Sequence, residues 1–158
     1  MPGGRQLVPG WFSWSRTIEY GAAVGATPNG RKAGAPISHG ANPNPGFRQD
    51  GAVTAQSTGI ASVQCGYGNT APLQIEYDPC LPFAQSVEQA MNLIQTHFRL
   101  GGTLININIL NKETLMEAHK NPDLHPDLVV RVTGFTAYFA TLTPGFRQLV
   151  IDRFLTGA

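Results

Sequence analysis

Two loops hold the residues whose types and spacing could do chemistry. The first runs Gly25-Ala26-Thr27-Pro28-Asn29-Gly30-Arg31-Lys32-Ala33-Gly34. Closely spaced glycines of this kind let backbone N–H groups surround a phosphate. Arg31, however, stands where such a loop needs Lys, and Ala33 where it needs a hydroxyl for magnesium. A tight turn at Pro28-Asn29-Gly30 accounts for the glycines instead. Arg31 and Lys32 are then candidates to bind a substrate carboxylate or a partner protein. The second loop is Arg131-Val132-Thr133-Gly134-Phe135-Thr136-Ala137-Tyr138-Phe139. Its lone glycine follows an apolar run, and local physics asks of it only a positive φ in a turn. Cys65 is followed by Gly66-Tyr67 and Cys80 by Leu81-Pro82, so neither belongs to a redox pair or metal spacing. His39, His97, His119 and His125 are scattered, and no metal is expected.

The composition narrows the classes. A chain of 158 residues with 42% apolar residues can build one core. A net charge of +1 gives no footprint for nucleic acid or an anionic membrane. No apolar run approaches the ~18 residues of a membrane span, and no signal-peptide pattern opens the chain. A reduced, cytoplasmic protein is expected. Charged residues make up only 13%, about half the usual share. A surface so poor in charge fits one that is largely covered.

The elements that must position these loops can be read in outline. The first 60 residues carry repeated turn chemistry, at Pro9-Gly10, Pro28-Asn29-Gly30 and Pro43-Asn44-Pro45-Gly46. They predict an ordered loop system that packs on something else. Residues 72–78 alternate as a half-buried strand does. In 84–98, Val87, Ala90, Met91, Ile94 and Phe98 fall at helical spacing, with Gly101-Gly102 as the stop. Residues 103–109 predict a strand with Ile105, Ile107 and Ile109 on one face and Asn106 and Asn108 on the other. The two asparagines could face a cavity or solvent. Asn111 should cap a short helix to about Lys120. Leu128–Val132 is a further apolar run, and Thr143-Pro144 should open a last helix with Phe146, Leu149, Val150, Phe154 and Leu155 as its apolar residues.

The second loop resembles the C-terminal signature of glycyl radical enzymes of the pyruvate formate-lyase type, an Arg-Val-x-Gly-aromatic run. The segment 25–34 is similar to the glycine-rich segment of the same family. So are Ser38 to Gly46, the strand Gly101-Gly102-Thr103-Leu104-Ile105-Asn106-Ile107-Asn108, and Arg147 to Arg153, in the same order. The resemblance implies an α/β fold, the C-terminal portion of a glycyl radical enzyme barrel. Residues 1–60 would pack on a barrel partner and 61–158 would form the glycine radical domain. It also implies that Gly134 carries the radical, with Arg131, Val132, Thr133, Phe135, Tyr138 and Phe139 supporting the loop. Glycine suits that chemistry: the unpaired electron at Cα spreads into the flanking amide groups, and any side chain would hinder planarity and hydrogen transfer. The loop should be buried from oxygen, with Val132, Phe135, Tyr138 and Phe139 as packing. Arg131 could hold it by hydrogen bonds.

In that family no cofactor is bound at the glycine. An activating enzyme with S-adenosylmethionine and an iron–sulfur cluster takes the hydrogen, and the glycyl radical then passes to a catalytic Cys. That Cys, typically followed two residues later by Glu, lies in a barrel far longer than this chain, and neither Cys65 nor Cys80 fits it. The resemblance therefore implies a subunit that is incomplete alone. It would be the small subunit of a split, oxygen-sensitive lyase of dehydratase or decarboxylase type, working with a large barrel subunit. Alternatives are a spare part that restores an oxygen-cut homologue, and a non-catalytic binding module.

Overall fold

The structure, a computed structural model, describes residues 2–4, 10–47, 50–64, 70–79 and 81–154 of the 158. Cys65, Cys80 and Leu155 lie outside the described residues.

Strands β1 (Pro72–Tyr77) and β2 (Leu104–Ile109) run parallel, in register from Pro72 opposite Leu104 to Tyr77 opposite Ile109. Parallel neighbours need a crossover, which the helix α3 (Phe83–Arg99) supplies. Two helices precede this unit, α1 (Thr17–Ala22) and α2 (Val53–Ala61), inside the stretch expected to be loops. Leu73, Ile75, Tyr77 and Leu93 form a core to which Val53, Ile60, Ile105 and Ile107 add partly buried side chains.

Two expectations are corrected here. β1 is not half-buried: Gln74 and Glu76, on its polar face, are each 2% exposed. The reason is a further layer of chain. Asn42 lies over β1 and pairs with Gln74 through both backbone groups, at 2.6 and 2.7 Å. The second correction concerns α3. It buries Ser86, Leu93 and His97, and leaves Phe83, Val87, Met91 and Phe98 exposed. His97 can be a packing residue because its Nδ1 lies 3.0 Å from Ser57 Oγ and its ring sits against a residue without a side chain. A Cβ on Gly102 would fall 2.2 Å from His97 Nε2.

The second half builds a separate core. Helix α4 (Lys112–Lys120) starts where Asn111 accepts from Thr114 N–H at 2.9 Å. Strands β3 (Val129–Arg131) and β4 (Thr136–Tyr138) form an antiparallel hairpin. Helix α5 (Pro144–Arg153) is capped by Thr143, with Pro144 in its first turn. Leu110, Leu115, Val130, Val132, Phe139 and Val150 make the centre of this core. The two cores meet at a seam where the strand ends of β1, β2 and β3 come together with the end of α5.

Candidate functional site

Gly134 sits at the tip of the β3–β4 hairpin. Arg131 pairs with Thr136, and the Val132 N–H donates to the Phe135 carbonyl at 2.9 Å. That leaves Thr133 and Gly134 as a two-residue tip. Tips this short commonly use glycine at positive φ. Gly134 is not among the glycines in that region. Nor does packing demand it: a Cβ there would meet only Ser13 Cβ, at 3.4 Å. Gly25, Gly51 and Gly59 likewise have neither a positive φ nor a close neighbour. What sets Gly134 apart is the anchoring of the chain just before it.

Arg131 is gripped through its backbone. Asn108 Oδ1 accepts from the Arg131 N–H at 2.9 Å, and Asn108 Nδ2 donates to the Arg131 carbonyl at 3.0 Å. The same Nδ2 donates to Glu76 Oε1 at 3.0 Å. Arg153, at the end of α5, donates to the Arg131 carbonyl at 2.9 Å, to Glu76 Oε1 at 2.6 Å and to the Val132 carbonyl. Its guanidinium also faces His39 Nε2 at 3.5 Å. Because arginine only donates, Nε2 must accept, which puts the His39 proton on Nδ1. The seam is dry. The Glu76 side chain is fully buried and that of Arg153 is 5% exposed. Burial lowers the His39 pKa to about 4, helped by the Arg153 charge. Burial pushes Glu76 up from its ordinary value, while Arg153 and Asn108 work against that shift. A cleft of about 370 Å³ opens between β2 and the hairpin, lined by Asn106, Ile107, Asn108, Val129, Val130, Arg131 and Thr136.

Comparison with known proteins decides the kinship. The family described as "Glycine radical" matches residues 37–140, two thirds of the chain. The chain belongs to the glycine radical family. Among relatives, it is 36% identical over 148 residues to formate acetyltransferase of Haemophilus influenzae, covering 88% of this chain and 19% of the relative. It is 32% identical over 139 residues to isethionate sulfite-lyase of Oleidesulfovibrio alaskensis, covering 86% of this chain and 17% of that one. A glycyl radical enzyme from Archaeoglobus fulgidus superposes with a TM-score of 0.79 at 29% identity, over 94% of this chain and 19% of that chain. The mixed α/β fold is thus that of the C-terminal region of the glycyl radical enzyme barrel. This glycine radical chain spans under a fifth of the length of these relatives.

The residues expected to support the glycine loop differ in burial. Val132 and Phe139 are fully buried, and Thr133 is 1% exposed. Gly134 itself is exposed, and Phe135 and Tyr138 are 36% and 54% exposed. Among the described residues, none closes a dry cage over Gly134. Phe135 packs edge-on against Phe146 of α5, with ring centroids 6.2 Å apart. Arg131 spans the hairpin, its side chain donating to Thr136 Oγ1 at 3.3 Å, while its own backbone is held by Asn108. Arg31 is no ligand cation. It is 5% exposed and spends its guanidinium on the carbonyls of Gly25, Val24, Lys32 and Ala35.

The holding residues Glu76, Arg153 and His39 were missed as site residues. Asn108, expected to face a cavity or solvent, grips the hairpin through the Arg131 backbone. One signal was present: Glu76 lies on a strand otherwise built for burial, and a buried carboxylate calls for a cation. No helix among the described residues is long and apolar enough to cross a membrane.

Proposed function

We propose that this chain is the glycyl-radical-bearing small subunit of a split, pyruvate formate-lyase-like lyase, with Gly134 as the radical site. The observation that carries this reading is Gly134 itself, a glycine required by neither φ nor packing, next to a backbone held by Asn108 and Arg153. An external radical, generated from S-adenosylmethionine by an iron–sulfur activating enzyme, takes one hydrogen atom from the Gly134 Cα. The electron left behind spreads over the flanking amide groups. Gly134 later takes a hydrogen atom from a cysteine thiol on a large barrel subunit, restoring the Cα–H bond and leaving a thiyl radical to attack substrate.

The exposure of Gly134, together with Trp11, Phe12 and Trp14, supports a covering partner. Oxygen sensitivity of such a radical supports an anaerobic setting, with the cytoplasm as the proposed compartment. Of the dehydratase and decarboxylase types of reaction, the dehydratase is supported by likeness to the hydroxyproline dehydratase of Clostridioides difficile, at a TM-score of 0.76 and 27% identity. The 36% identity to formate acetyltransferase favours a second reading, a spare part for an oxygen-cut homologue.

The test is electron paramagnetic resonance. The chain is produced anaerobically with a barrel protein lacking its own glycine motif and with an activating enzyme, beside Gly134→Ala. A doublet in wild type and none in the variant is expected. A doublet obtained only with an oxygen-cleaved full-length homologue would favour the spare part. No doublet in a formed complex with active activating enzyme would sink both and leave a binding module.

A further inference from the structure

Gly134, at the hairpin tip, does not take the positive φ that commonly sets a two-residue turn, which leaves room for a neighbouring side chain to position the tip. Arg153 is placed to do this. It is the last residue of α5 and lies beyond the segment 37–140 matched to the family. Its guanidinium reaches two successive carbonyls, those of Arg131 and Val132, immediately before Thr133-Gly134. Glu76 fixes the guanidinium by a 2.6 Å contact, and Asn108 fixes Glu76 in turn at 3.0 Å. The planar fork serves the Val132 carbonyl from one nitrogen and the Arg131 carbonyl and Glu76 from the other, a fixed spread that the single nitrogen of lysine does not offer.

We infer that Arg153, oriented by Glu76, is a positioning residue for Gly134, and that it sets where the tip stands by clamping the two carbonyls before it. The inference rests on the radical reading of Gly134 only for its consequence in the reaction. The clamp itself can be measured without it.

The experiment compares wild type, Arg153→Lys and Glu76→Gln by amide hydrogen exchange on the full chain, and by the glycyl doublet in the activated complex. Lysine keeps a cation beside Glu76 but not the fork. We expect exchange at Arg131 and Val132 to rise about tenfold or more in Arg153→Lys, with β1 and β2 amides unchanged. We also expect a doublet of lower yield and shorter life. Unchanged exchange at Arg131 and Val132 would overturn the inference. So would acceleration shared equally by β1 and β2, which marks a merely structural residue. If Arg153→Lys does not fold, Glu76→Gln decides. Gln keeps an acceptor without the charge, and a smaller, hairpin-limited acceleration is expected; no acceleration overturns the inference. A wild-type chain that never gives a doublet counts against the radical reading, while the exchange result still decides the clamp.

Discussion

Asn108 pairs with Arg131 as a strand neighbour would, accepting from its N–H at 2.9 Å and donating to its carbonyl at 3.0 Å, but with a side chain rather than a backbone. The β2 strand thereby hands its hydrogen bonding on to β3 without joining it in one sheet. The same device recurs where Asn42 grips Gln74. An amide suits this task, because it offers a donor and an acceptor on separate atoms of one plane, matching the N–H and carbonyl of a single residue.

The first prediction follows from that geometry. Asn108→Asp replaces the donor facing both Glu76 and the Arg131 carbonyl with an acceptor. Urea denaturation at pH 7 should show a loss of about 2–4 kcal/mol. Asn108→Leu, which leaves polar groups unpaired without adding a charge, should cost about 1–3 kcal/mol. Equal losses in the two variants would mean that the contact with Glu76 matters little.

Gly134→Ala separates chemistry from folding. The new Cβ meets only Ser13 Cβ at 3.4 Å, and φ is outside the left-handed region. Stability should stay within about 1 kcal/mol of wild type, while the glycyl doublet disappears. A large fall in melting temperature would show that Gly134 has a packing role after all.

Gly102→Ala should behave in the opposite way. Its Cβ would collide with His97 Nε2 at 2.2 Å, and that ring is fully buried and bonded to Ser57. An overpacked position of this kind costs about 1–3 kcal/mol. Thermal unfolding of the variant checks it, and a companion His97→Ala, which removes the obstacle, should restore tolerance of the methyl group.

Acid should weaken the fold through His39. Its pKa is about 4 in the folded chain against 6.5 in the unfolded one. Between those values the unfolded state binds more protons, so stability is full above the upper value and lost progressively as pH falls toward the lower. Going from pH 7 to pH 5 should remove about 2 kcal/mol through this residue. His97, also lowered by burial, adds to the loss. Glu76, raised by burial, acts in the other direction. Urea denaturation at both pH values, on wild type and His39→Gln, isolates the share of His39. An identical pH dependence in the two would rule it out.

Much of the local structure was already legible in the residues. Asn111 and Thr143-Pro144 mark helix starts, and both act as caps in the fold. The isoleucine alternation of 103–109 marks β2, and the order of motifs around Gly134 marks the family. These are short-range signals, carried by side chains that act within a few residues of their own backbone.

What the sequence could not determine is which polar residues meet. Glu76, Asn108 and Arg153 are separated by 32 and 45 positions, and no local rule joins them. Only the meeting of two cores brings them to one seam, where burial makes their pairing obligatory. The apolar stripe of α3 shows the converse. Its spacing marks a helix, but whether the stripe or Ser86, Leu93 and His97 face inward depends on what Ser57 and Gly102 offer across the interface. Periodicity tells that a helix has two faces; the partners available in three dimensions decide which face is buried.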